Sequence, residues 1–188
     1  MNRQGLSLYV LLLGCLLLAP WNDAALADFG LVRSALRDGE FWRFLTGHFV
    51  HLNWAHLGLN VAGLVLLQQL FGQELRPVIW AWGCVFVAVC IGICMLAFSR
   101  FGTVSGFSGV LHGLFAFAAC LALARDPLLA AGALLIVGGK VVWEQIAGGS
   151  SFVERLIDMP VATDIHLYGA ASGVVLGAVM AASARLAR

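Results

Sequence analysis

Gly106-Phe107-Ser108-Gly109 is a short polar stretch between two long apolar runs, 78–98 before it and 108–124 after it. Ser108 stands where the second run begins. A serine between glycines at the mouth of a helix has the exposed hydroxyl that nucleophilic catalysis needs. The same four residues also describe a plain helix start after a glycine turn, so the motif is weighed against the rest of the chain. That chain is 61% hydrophobic and 11% charged over 188 residues, with a mean hydropathy of +0.93. Soluble domains carry about a quarter of their residues as charges. The composition therefore reads as an all-α integral membrane protein, a single domain over 1–188. A net charge of +1 offers no basic field for nucleic acid. The five cysteines, Cys15, Cys84, Cys90, Cys94 and Cys120, all lie in apolar runs. They read as small buried thiols, not as a disulfide framework or metal site.

Outward from Ser108, the runs at 53–71, 128–147 and 164–184 are each near the roughly 20 residues that a span needs. Asn53 is placed to cap the first of these, and Asp126-Pro127 to start the second. The stretch 72–77 is a tight polar turn. A further apolar run, 5–20, precedes Ala25-Leu26-Ala27, which has the look of a signal-peptidase site. Because several spans follow, a retained first helix is favoured over a cleaved signal. Residues 22–50 carry Asp23, Asp28, Arg33, Arg37, Asp38, Glu40 and Arg43 among Phe29, Phe41, Trp42, Phe44 and Phe49. They cannot span, and are expected to lie as an amphipathic loop at the interface between helices 1 and 2. Six spans place both termini on one side. Arg3, Arg76, Arg125, Arg185 and Arg188 fall on that side, in short loops and tails where the positive-inside rule applies best. Both termini are thus expected in the cytoplasm, with Ser108 and the 148–163 loop facing outward.

Polar groups at membrane depth are costly and each needs an account. His56 and Asn60 share one face near the start of the second span. Ser108 opens the fourth, with His112 one turn below, and His166 stands near the start of the sixth. Under alternating topology these three spans run inward from the same side, so their polar residues meet at one depth. Gly109 and Gly113 on the fourth span, and Gly169, Gly173 and Gly177 on the sixth, are small-xxx-small faces that let two backbones approach. The plainer reading is that small residues pack helices and each histidine makes one satisfying hydrogen bond; the convergence at one depth is what it leaves unexplained. Ser108 then reads as nucleophile and His166 as its base. Gly106 and Gly109 remove bulk beside the attacked carbonyl. The helix start at Ser108, with His56 and Asn60, supplies donors for an oxyanion. No acidic third member is expected, Asp164 being read as the cap of the sixth span. His112 is placed to pack on His166. The polar segment 99–107 should line a hydrated cavity. Lys140 and Glu144 lie four apart in the fifth span and could pair; their role stays open. No His-Glu-x-x-His pair is present, and His48, His51 and His56 are poorly spaced for one helical face, so neither metal nor cofactor is expected.

At these residues the chain resembles the rhomboid family of intramembrane serine proteases. Trp42-Arg43 looks like the family's loop motif before the second span. His51, His56 and Asn60 match its His-x4-His-x3-Asn pattern, Gly106 to Gly109 its Gly-x-Ser-Gly motif, and His166, Gly169 and Gly173 its His-x2-Gly-x3-Gly pattern. The resemblance implies a six-transmembrane-helix rhomboid core. It also implies cleavage of the transmembrane segment of a membrane-anchored protein substrate near the outer surface, with an oxyanion hole from His56, Asn60 and Ser108. It implies substrate entry beside the second and fifth spans, where Gly138 and Gly139 would weaken the fifth. His112 occupies the place where many rhomboids have a tyrosine. That form and the small size look like the rhombosortase subgroup, implicated in processing bacterial proteins with a C-terminal Gly-Gly motif, apolar helix and basic tail, and imply a place in the bacterial inner membrane for this chain. The rival within the family is a non-catalytic relative that binds membrane clients. A channel or transporter would need inverted repeats and a polar track across the bilayer, which the sequence lacks.

Overall fold

The computed structural model describes residues 22–74 and 76–186. The expected first span, 5–20, and Cys15 lie outside them. The described chain runs α1 (Asn22–Phe29), β1 (Leu31–Val32), α2 (Arg33–Arg37), α3 (Arg43–Thr46), α4 (Trp54–Phe71), α5 (Pro77–Phe98), β2 (Thr103–Val104), α6 (Ser108–Ala122), α7 (Pro127–Ala147), α8 (Ser151–Ile157) and α9 (Thr163–Leu186). Among the described residues, four helices are long and apolar enough to cross a membrane: α4, α5, α7 and α9. Their boundaries follow from local chemistry. Asn53 Oδ1 accepts from the His56 backbone N–H at 2.8 Å and starts α4. Asp126 Oδ1 accepts from the Leu129 N–H at 3.1 Å, and Pro127, which has no N–H to lose, opens α7.

The buried centre is α6, packed by α4, α5, α7 and α9. Leu114, Phe117, Ala118, Ala119 and Ala122 are fully enclosed. Its closest partner is α9, and glycine is the reason. A Cβ on Gly169 would run into the Gly109 carbonyl, and one on Gly173 into the Gly113 carbonyl. In return, a Cβ on Gly113 would stand 2.7 Å from the Gly169 carbonyl oxygen. The two backbones are therefore in contact along three turns, as the small-xxx-small faces predicted. The outer faces of α5 and α7 expose Val78, Trp82, Phe98, Leu128, Leu135, Ile136, Trp143 and Ile146. Such a surface is unfavourable in water and suited to lipid tails. The protein is an integral, multi-pass membrane protein. Cys90 and Cys94 on α5 and Cys120 on α6 are free thiols, as expected, but each is only half-buried and not enclosed.

With 15 residues, α6 is only about 22 Å long, against a hydrocarbon core of about 30 Å. The irregular approach to it, 99–107, is tied to protein groups on one side and lines a cavity on the other, the conditions under which non-helical backbone is stable in such surroundings. Leu31 pairs with Val104 and Val32 with Thr103 in a two-stranded antiparallel ladder. Arg33 Nη2 donates to the carbonyls of Met95, Ser99 and Phe101. The Gly106 N–H donates to the Gly47 carbonyl at 3.3 Å. Residues 22–50, expected as one amphipathic segment, are thus three short helices and a strand stitched to the bundle. Arg43, nearly fully buried, organises them from within. Its guanidinium reaches the carbonyls of Gly30 and Ala27, both at 2.9 Å, and the Glu40 carboxylate at 2.7 Å.

Candidate active site

Ser108 is the first residue of α6, and His166 lies in the first turn of α9. The glycine contact between those helices sets their separation. Ser108 Oγ donates to His166 Nε2 at 2.9 Å. On its other side, the ring donates from Nδ1 to Glu144 Oε2 at 2.8 Å. The expectation that no acidic group stands behind the histidine is corrected: Glu144 on α7 is there. Its second oxygen, Oε1, accepts from Lys140 Nζ. The four-residue spacing had shown that Lys140 and Glu144 could pair. That pairing accounted for the charges without invoking His166, and the rotation of α7 that turns Glu144 inward is a tertiary fact. The available signal was the cost of an acid in a lipid-facing helix. Asp164 is corrected as well. It lies inside the first turn of α9, and its Oδ2 accepts from Ser99 Oγ at 2.7 Å and from the Arg100 N–H at 3.2 Å. It pins the approach to α6 against α9 instead of capping a helix.

His112, one turn below Ser108, donates from Nδ1 to the Ser108 carbonyl at 2.7 Å. Its ring stacks on that of His166, with centroids 4.2 Å apart and planes 16° from parallel. The expected packing is present. Across from this pair stand His56 and Asn60, both buried on α4. His56 Nδ1 accepts from the Leu52 N–H at 3.4 Å; the ring proton is then on Nε2 and available to a ligand. Asn60 Nδ2 uses one hydrogen on the His56 carbonyl at 3.1 Å and keeps the other. His51 braces His56 edge-on, with centroids 5.1 Å apart and planes at 70°. Gly106 is needed here for two reasons. Its φ of 98° disfavours any side chain, and a Cβ would stand 2.5 Å from His56 Nε2. Gly109 is constrained by Ile165, whose Cγ2 would be 2.6 Å from a Cβ.

These groups open on a cavity of about 590 Å³ between α4 and α7. Ser108, His56, Asn60, His112, Lys140, Glu144 and His166 line it, together with Phe101, Thr103, Val104 and Ser105 from the 99–107 segment. Most of its remaining wall is aliphatic, from Leu59, Leu66, Ile136 and Val137 among others. Trp42 and Arg43 are not brought to it; they belong to the fold of the loop. Outside the spans, burial holds the imidazoles of His48 and His51 down at about 4, so both are neutral at pH 7.

His112, Glu144 and His166 bring possible metal-ligand atoms within 4.8 Å of one another. Their directions do not suit a cation. Both nitrogens of His166 are engaged by Ser108 and Glu144, and near-parallel stacked rings cannot aim lone pairs at one point. The set suits proton transfer instead: a hydroxyl, an imidazole and a carboxylate in line, with N–H donors facing them across an apolar cleft. No curated protein matches the chain. Residues 38–183 match the family described as the Rhomboid domain.

Proposed function

Because the chain belongs to the rhomboid family of intramembrane proteases, we propose that it is a serine endopeptidase of one membrane domain that uses Ser108 and His166 to cleave substrate transmembrane segments. The observation that carries the reading is the 2.9 Å Ser108 Oγ–His166 Nε2 hydrogen bond at a cleft open between α4 and α7. A peptide entering the cleft presents its scissile carbonyl to Ser108 Oγ. As the Oγ–C bond forms, His166 Nε2 takes the hydroxyl proton. The carbonyl oxygen, now carrying the charge, lies among the Ser108 N–H, His56 Nε2–H and Asn60 Nδ2–H. These fixed donors act where charge develops, which makes them catalytic and not merely binding groups. His166 then delivers its proton to the leaving amine as the C–N bond breaks. Water entering by the polar segment 99–107 reverses the sequence on the acyl-enzyme.

His112, in the place of the tyrosine found in many rhomboids, supports a rhombosortase-type assignment. The substrate would then be a membrane-anchored bacterial protein with a C-terminal Gly-Gly motif, apolar helix and basic tail, and the enzyme would lie in the bacterial inner membrane with both termini cytoplasmic. The test is incubation of purified protein with such a substrate in liposomes. Wild type should release the cleaved product and Ser108→Ala should release none. Equal cleavage by the two would reject Ser108 as nucleophile.

A further inference from the structure

We propose that Glu144 is a positioning residue of the reaction, holding His166 in the tautomer and orientation that Ser108 requires, so that α7 is part of the catalytic unit. The proposal rests on the reading of Ser108 and His166 as nucleophile and base. Three observations carry it. First, α7 is a helix of mostly exposed apolar residues, with Val142, Trp143 and Ile146 all outside, yet Glu144 is turned in and is only 6% exposed. Second, its two oxygens are divided between two cations or potential cations: Oε2 meets His166 Nδ1 at 2.8 Å and Oε1 meets Lys140 Nζ. Third, among the described residues no other acidic side chain bonds to His166.

The chemistry follows from donor and acceptor rules. An ionised carboxylate only accepts, so Nδ1 must carry the ring proton and Nε2 must present its lone pair to Ser108 Oγ. That is the protonation state a base needs before attack. When Nε2 takes the hydroxyl proton, the resulting imidazolium lies between the Glu144 carboxylate on one edge and the His112 ring on one face. Glu144 keeps its charge throughout. The proton leaves from Nε2 to the departing amine, and the starting tautomer returns. Lys140 contributes by offsetting the carboxylate's charge in apolar surroundings and by fixing its second oxygen. An amide at position 144 would behave differently. Lys140 Nζ would hold the amide oxygen in the place of Oε1, so that the NH2 faces Nδ1, places the ring proton on Nε2, and turns the base into a donor towards Ser108.

The opposing account is a structural ion pair that only fastens α7. The two are separated by labelling Ser108 with a small fluorophosphonate, and by kcat and KM on a membrane-embedded substrate. Wild type, Glu144→Gln, Glu144→Asp, Lys140→Met and Ser108→Ala are compared in detergent. Glu144→Gln should lower the labelling rate and kcat by about 10³–10⁴, the loss that follows a wrong histidine tautomer, with KM within about threefold of wild type. Glu144→Asp keeps the acceptor and should recover at least about a tenth of the wild-type rate. Lys140→Met should cost no more than about tenfold, because the acceptor remains. Wild-type labelling of Glu144→Gln overturns the proposal. Equal losses in Glu144→Gln and Glu144→Asp, or losses that track lowered melting temperatures, overturn it in favour of the structural pair. Labelling that persists in Ser108→Ala would overturn the underlying reading of the nucleophile instead.

Discussion

Asn60 keeps one amide hydrogen unused at the edge of the cleft, and His56 keeps its Nε2 proton. If both serve developing charge, their removal acts on turnover and not on binding. Asn60→Ala and His56→Ala are each expected to lower kcat by about 10²–10³ with little change in KM; unchanged turnover in Asn60→Ala would remove it from the oxyanion hole. His112 makes a different demand. Its ring is stacked on His166 and its Nδ1 is occupied by the Ser108 carbonyl, so its contribution is a flat surface at one fixed distance. His112→Tyr supplies another flat ring and should retain substantial activity, whereas His112→Ala leaves His166 unsupported and should lose most of it. Equal rates in wild type and both variants would reject the supporting role. The residues proposed as nucleophile, base and donors are all ones that their local sequence marks, because helix starts and four-residue spacings are short-range facts. Glu144 escaped because no local signal marks which side of the apolar α7 turns inward, and pairing with Lys140 already accounted for its charge.

Among the four long apolar helices described, α7 is the least buried. Its buried residues are Ala130, Val141 and Glu144 alone, and it forms one wall of the cleft. Gly138 and Gly139 lie between Ala130 and Glu144, and a Cβ at either would meet open space. A side chain at either position therefore starts into open space, while each replacement by leucine favours the helical state by about 1 kcal/mol. If α7 yields to admit substrate, Gly138→Leu with Gly139→Leu should slow cleavage of a membrane-embedded substrate and leave fluorophosphonate labelling of Ser108 near the wild-type rate. A parallel fall in both would place the defect in the catalytic core and end the gating account. The contrast with α6 is physical. There Gly113 faces the Gly169 carbonyl and Val87, and the same substitution would force the helices apart.

At the scale of the molecule, the loop of 22–50 and the bundle are one packed body, and His48 records it. Its buried ring stands between backbone groups of Ala88 on α5 and Gly106 at the approach to α6. Burial lowers both His48 and His51 to about 4 from 6.5. Between those values the unfolded chain binds protons that the folded chain does not. Stability is therefore fully present above pH 6.5 and declines as pH falls through 6.5 towards 4, by at most about 3 kcal/mol for each group. The melting midpoint in detergent should fall between pH 7.5 and 4.5, with a shallower slope in His48→Gln. A midpoint flat across that range in the wild type would contradict the burial.

The sequence by itself determined where the four long helices lie, that they belong in a membrane, and which serine and histidine face each other. Those properties rest on hydropathy, on caps such as Asn53 and Asp126 that act within three residues, and on glycine faces that leave few ways to pack. Only the tertiary structure decided what meets across distance: Glu144 behind His166, Asp164 on Ser99 and Arg100, Arg43 inside the loop, and β1 on β2. The reason is rotational. An apolar helix such as α7 has no strongly polar face to announce which side turns inward, so its rotation is set by its contacts with α6 and α9, and that rotation brings a carboxylate to the histidine.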